Sequence, residues 1–146
     1  MSTERSGSVP ASGLVDLCFS GKYTRQQVKN KLKGEGGAFA YLGSRNYIEI
    51  EKKIEEGDSY AALIFSAIAV QTAKEIGGLT TSLKGELDGI LITGELAYSN
   101  LLITQITEMI HHLGTVRIYP GEEEMEALAM YGYMVLDNEI EMKEYI

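Results

Sequence analysis

The sequence predicts an α/β fold in which parallel strands are joined by crossover helices. Three observations predict it. Two short, continuous aliphatic and β-branched runs, Gly89–Thr93 and Thr115–Tyr119, read as strands of a covered sheet. An amphipathic stretch, Ser99–Leu113, separates them, and parallel neighbours need a long crossover of that kind. Each run ends in a turn, at Gly94 and at Pro120-Gly121, with a further helical pattern close behind it. A strand–glycine–helix turn aims backbone N–H groups and a positive helix end at the mouth of a parallel sheet, where phosphates bind.

The remaining elements follow from capping signals and periodicity. Residues 1–13 are rich in Ser and Gly, contain a proline and read as loop. Thr24 and Gln27 have capping-box spacing, so a helix starts at Arg25 and ends near Gly34; the glycines up to Gly37 break it. Asn46 and Glu49 repeat that spacing, with Ile50 and Ile54 on one face of a short helix to Glu56. Gly57-Asp58 breaks and recaps the chain. From Ser59 to Thr81 runs a long helix, apolar around most of its circumference, as expected of a helix covered from several sides. In the helix after the first strand, Leu102, Ile106, Met109 and Leu113 form one stripe. The last helix spans Glu122 to Leu136, with Glu122, Glu123 and Glu124 complementing its dipole. Met125, Met130 and Met134 read as core filler there, with Tyr131 and Tyr133 packing beside them. Asn138–Tyr145 reads as a short surface helix. Two strands make a poor sheet, so the pattern also implies strands that this reading does not find.

Composition narrows the function. The chain has 146 residues, 45% apolar and 23% charged, enough for one domain with a real core. A net charge of −8 without a basic stripe excludes general nucleic-acid binding. Cys18, in an apolar run, reads as a buried inert thiol that has no partner for an internal disulfide. Residues 1–9 lack the apolar core of a signal peptide, and the longest apolar stretch, Ala61–Val70, is too short for a bilayer; a cytoplasmic protein away from membranes is expected. His111 and His112 are adjacent and so lack metal-ligand spacing.

Several stretches converge on a resemblance. Arg5-Ser6-Gly7-Ser8-Val9-Pro10-Ala11-Ser12-Gly13-Leu14 precedes Phe19-Ser20-Gly21-Lys22-Tyr23-Thr24 and Ala40-Tyr41-Leu42-Gly43. Further on come Ile90-Leu91-Ile92-Thr93-Gly94-Glu95-Leu96-Ala97-Tyr98-Ser99 and Tyr119-Pro120-Gly121-Glu122-Glu123-Glu124-Met125. Together they resemble the C-terminal part of butyrate kinases, a branch of the acetate kinase (acetokinase) family within the actin, sugar-kinase and heat-shock ATPase superfamily. The Tyr-Pro-Gly-Glu and Leu-Ala-Tyr-Ser stretches look more like the butyrate branch than like acetate kinases.

The resemblance implies the C-terminal portion of an actin-like (ribonuclease H-like) ATPase domain, without that domain's first three strands. It divides residues 1–146 into a loop-rich catalytic-arginine segment (1–23), a helical part (24–84) and a nucleotide and Mg²⁺ region (88–137). The implied reaction passes a phosphoryl group between ATP and a short-chain carboxylate, butyrate or a branched analogue, in either direction. ATP or ADP and Mg²⁺ are the implied cofactors, and the implied partners are the N-terminal half of the kinase and, for the complete enzyme, a second copy. Arg5 takes the place of an arginine that steadies the moving phosphoryl group. Thr93, Gly94, Glu95, Leu96, Ala97 and Tyr98 match the adenosine motif, with Glu95 where the family has a second glycine. Asn46 and Ile48 stand where the family carries an acid and an arginine near the nucleotide; Asn46 also reads as a plain helix N-cap. Glu123, or Glu124 one register further on, corresponds to a glutamate supporting Mg²⁺. Alternatives of another class are a non-catalytic remnant or interaction module, or one half of a split kinase; the isolated chain is expected to be inactive.

Overall fold

The computed structural model describes residues 1–142. Four short helices come first: α1 (Ala11–Phe19), α2 (Arg25–Leu32), α3 (Gly37–Leu42) and α4 (Tyr47–Glu55). The long helix α5 (Ser59–Ser82) follows, then β1 (Ile90–Gly94), a 3-10 turn (Glu95–Tyr98), α6 (Asn100–Ile110), β2 (Val116–Pro120) and α7 (Glu124–Leu136). β1 and β2 pair in parallel, in the register Ile90↔Val116 through Gly94↔Pro120, as the crossover argument required.

The capping signals at Thr24 and Asp58 act as read, whereas Asn46 caps α4 without the box that its spacing to Glu49 suggests, because Glu49 Oε2 accepts from the Ser44 hydroxyl at 2.6 Å instead. Thr24 Oγ1 accepts from the Gln27 amide while the Gln27 side chain accepts from the Thr24 amide, a complete capping box. The Asn46 side chain caps α4 by accepting from Ile48 N at 3.0 Å, and Asp58 caps α5 through Tyr60 N and Ala61 N. Ser99 caps α6, but it is also buried, and its hydroxyl donates to Glu51 Oε1 at 2.6 Å. That bond ties α6 to α4.

The core lies where α5 crosses α4 and α6 and meets one face of the sheet. Ile50 from α4, Ile64, Phe65 and Ile68 from α5, Leu102, Ile106 and Ile110 from α6, and Ile90 from β1 are buried together. At 24 residues, with an 18-residue stretch of mean hydropathy 1.2, α5 has the length and composition of a membrane span, which the run Ala61–Val70 alone did not suggest. Its buried residues are spent on α4 and α6 instead, as in the central helix of a globular core.

Several expectations are corrected. Residues 11–13 are helical rather than loop, and Gly37–Leu42 forms α3 where only a break was read. Cys18 is exposed, because α1 buries none of its residues; an apolar run shields a thiol only if its helix finds a partner. A 3-10 turn fills the stretch between Gly94 and the helix after β1, and α6 begins at Asn100, one residue from the expected start, and ends at Ile110, three residues short of Leu113. α7 starts at Glu124, so Glu122 and Glu123 precede it. Met125 and Met130 are not core filler, and Tyr131 and Tyr133 do not pack; all four are more than half exposed. Leu63 and Val70 on α5, and Leu91 on β1, are likewise open, so neither the long helix nor the strand is covered on every side. Leu91 is open because a helical layer, α5 with α6, lies on one face of the sheet, while Leu91, Arg117 and Tyr119 on its other face are exposed. Asn138–Met142 are not helical, and the remainder of the expected surface helix lies outside the described residues.

Candidate functional site

A backbone platform builds the site. The N-terminal segment lies against the loop between α2 and α3 and against the start of α3. Gly34 N and Gly36 N donate to Glu4 O at 2.9 and 3.0 Å, while Ala38 N and Phe39 N donate to Ser2 O and Thr3 O. The orphan amides at the start of α3 thus take carbonyls from residues 2–4 in place of a side-chain cap. Ser6 N donates to Leu32 O, and Arg5 bridges Lys33. Such close approach requires glycine. Gly37 has φ +57°, and a Cβ there would meet Ser2 O and the Arg5 backbone; one at Gly36 would meet Lys31 O and Ser6 N. The glycine run therefore seats the arginine segment.

At the C-terminal end of the sheet, Gly94 and Gly121 exchange both backbone hydrogen bonds, each 3.1 Å long. Both have positive φ, +94° and +112°. The Tyr98 hydroxyl lies close over Gly121, 3.1 Å from where a Cβ would stand. Beyond this bridge opens a cleft of about 510 Å³ lined by residues 2–5, Arg45, Thr93, Gly94, Glu95, Leu96 and Glu122. Arg5 and the first four residues of the adenosine-like motif, far apart in sequence, line this one cavity. An adjoining cavity of about 560 Å³ shares Thr93, Gly94 and Glu122 with it and adds Glu123.

The other candidates lie further off. Ala97 is buried beneath the 3-10 turn, and Tyr98 opens on a separate cavity with Glu51, Glu55 and Asn100. Asn46 is exposed at the start of α4, where its side chain is used as a cap. Glu123 precedes α7 and makes no side-chain cap, while the Glu124 side chain lies outside the described residues. The positive end of α6 does not face the cleft's glycine turn as expected. The 3-10 turn carries the chain past it, and the helix start is closed by Ser99 and Glu51.

Three charged residues of the cleft carry no site role in the sequence reading: Glu4, Arg45 and Glu122. Only Glu122 carried a signal, as the first acid after the Pro-Gly turn. Arg45 Nε donates to Gly34 O at 2.9 Å, the guanidinium lies 4.2 Å from the centre of the Phe39 ring, and Glu4 Oε2 is 4.0 Å away. The arginines can hold phosphate oxygens here, whereas the Gly94 and Gly121 amides are already bonded to each other. No group of three or more His, Cys, Asp or Glu among the described residues could hold a metal ion unaided. Mg²⁺ needs no such cage: it keeps waters and binds through one or two carboxylates plus substrate phosphates, a role that fits Glu122 and Glu123.

This is an α/β protein with the C-terminal portion of an actin-like ATPase fold. The same fold is found in a propionate kinase from Francisella tularensis subsp. tularensis SCHU S4, at TM-score 0.73 and 17% identity, over 84% of this chain and 38% of that one. It is found in an acetate kinase from Porphyromonas gingivalis, at TM-score 0.76 and 18% identity, over 91% of this chain and 40% of that one. An acetate kinase from Entamoeba histolytica aligns at TM-score 0.75 and 20% identity, over 90% and 42%. The chain thus spans well under half the length of each of these proteins. No family model matches the sequence.

Proposed function

We propose that the chain works as the C-terminal part of a carboxylate kinase of the butyrate kinase type. The observation that carries this reading is the shared cleft, where Arg5 and Thr93–Leu96 line one cavity at the C-terminal end of the parallel strands. Ligands of open α/β sheets bind at that end. In the proposed reaction a carboxylate oxygen of butyrate, or of a branched analogue, attacks the γ-phosphorus of ATP. An O–P bond forms, the bond to the ADP oxygen breaks, and acyl phosphate and ADP leave; the reverse direction makes ATP. Such transfer needs positioning and charge cancellation more than covalent help. Arg5 would hold the moving phosphoryl oxygens with its fork of donors. Thr93 to Leu96 would bed the nucleotide, the missing Cβ at Gly94 leaving room for it, with Ala97 and Tyr98 supporting the turn from outside the cleft and Asn46 serving as the α4 cap. Glu123, with Glu122 beside it, would anchor the waters of Mg²⁺, which when bound would neutralise phosphate charge. The carboxylate pocket would come from an N-terminal half, and the complete enzyme would be a cytoplasmic homo-oligomer.

Co-expression with the N-terminal half of an intact butyrate kinase tests this reading. One half carries a tag, and ATP-dependent acyl phosphate formation from butyrate is the assay. Copurification with activity is expected, and Arg5→Ala should lower kcat by about 10²–10³-fold, the loss typical of one phosphoryl- or oxyanion-stabilising group. Copurification without activity would contradict the kinase reading.

A second reading, a non-catalytic interaction module, has its own support. Leu91, Leu128, Tyr131 and Leu136 are all more than half exposed, apolar surface that a docked chain would cover. On that reading the chain copurifies but the cleft binds no nucleotide.

A further inference from the structure

We propose that Arg45 is a second phosphate anchor in the cleft, gripping the phosphoryl oxygens of the nucleotide alongside Arg5. The inference rests on reading the cleft as a nucleotide site and adds a ligand-binding residue to it.

Arg45 and Arg5 line the same cavity. The Arg45 guanidinium is held on two sides, by the bond from Nε to Gly34 O and by the Phe39 ring. These contacts fix its plane without using its terminal nitrogens, which have no hydrogen-bond partner among the described residues. A guanidinium fixed in this way gives up little freedom when it takes phosphate oxygens at two points. Its ion pair with Glu4 is at the 4.0 Å limit, with both side chains substantially exposed, and competes weakly.

The charge balance of the lining points the same way. Glu4, Glu95 and Glu122 line the cleft with the two arginines. With both arginines the lining side chains carry a net charge of −1, and without Arg45 they would carry −2, so Arg45 lessens the repulsion that a polyphosphate meets there. The alternative is a purely structural strut that ties the start of α4 to Gly34. A strut would affect every ligand of the cleft alike, whereas an anchor acts only on phosphate.

The test is calorimetric titration of the 146-residue chain, with Mg²⁺ present, against ADP, inorganic tripolyphosphate and adenosine. Arg45→Ala should weaken ADP and tripolyphosphate by about tenfold or more, the loss of one charge-assisted contact, and leave adenosine unchanged. Arg45→Gln, which can still donate to Gly34 and pack on Phe39, should show the same selective loss at an unchanged melting temperature. It carries the test if Arg45→Ala fails to fold. Equal weakening of all three ligands, or unchanged phosphate binding, overturns the proposal. Tripolyphosphate binding that depends on Arg45, with no affinity added by the adenosine part, would keep the anchor and overturn the nucleotide reading. No binding of any ligand overturns both.

Discussion

Gly94 and Gly121 face each other across the end of the sheet and exchange both backbone hydrogen bonds at 3.1 Å, each with a backbone conformation that side-chain-bearing residues avoid. The bridge lies one step beyond the last rung of the parallel ladder, and the cleft opens directly above it. Gly94 lines that cleft and Gly121 the cavity adjoining it, so the same backbone bridge borders both.

Gly94→Ala is expected to strain a backbone at φ +94°, ψ 176°, a region almost confined to glycine. The expected cost is about 1–3 kcal/mol of stability. A urea titration of the chain checks it: the midpoint should fall with an unchanged slope. Gly121→Ala should cost at least as much, since its Cβ would also press on the Tyr98 hydroxyl.

Gly37→Ala should act on the Arg5 segment. Its Cβ would meet Ser2 O and the Arg5 backbone, so residues 2–5 must move away from α3. Hydrogen exchange is the readout. The amides of Gly34, Gly36, Ala38 and Phe39, all bonded to carbonyls of residues 2–4, should lose protection, while those of α6 keep theirs. Protection retained at these amides would show that the platform tolerates a side chain.

Ser99→Ala removes a cap and a buried tie together. The hydroxyl accepts from Leu102 N at 3.0 Å and donates to Glu51 Oε1 at 2.6 Å. A loss of about 1–2 kcal/mol is expected by chemical denaturation, at the upper end for a helix cap because Glu51 also loses its partner. Glu51→Gln retains an acceptor and should cost less.

Phe65→Ala tests where the core lies. Phe65 is fully buried at the crossing of α5 with its neighbours, and its truncation should cost about 3–5 kcal/mol. Leu63→Ala, two residues away and on the open side of α5, should fall within about 0.5 kcal/mol of wild type, as surface substitutions do. In the same samples Cys18 should react with a thiol reagent in the folded chain at a rate close to that in urea, because it is exposed.

The elements that could be read were those whose signal is local. Thr24 with Gln27, Asn46, Asp58 and Ser99 each cap a helix within three residues, so their hydrogen bonds are encoded by spacing. The runs ending at Thr93 and Tyr119 were legible as strands to within one residue. What sequence patterning missed depended on distant partners. α3 has no side-chain cap to announce it, because its first amides are taken by residues 2 and 3. Arg45 reads as an ordinary surface arginine until Gly34 and Phe39 are brought beside it. Cys18 reads as buried from its apolar neighbours, and Met125 and Met130 read as core from their residue type, but neither signal says whether a helix finds a surface to cover.

The sequence by itself determined the α/β class, the parallel strand–helix–strand order, most helix starts and the glycine turn after Ile92-Thr93, since periodicity, capping and glycine conformation act over a few residues. The tertiary structure alone decided which arginines share a cleft with Gly94, which acid lies nearest to them, and which apolar faces stay open. Those depend on where segments as far apart in the chain as Ser2 and Glu122 come to rest, and that is settled by the burial of Ile50, Phe65, Ile68 and Ile106 in one core rather than by any local signal.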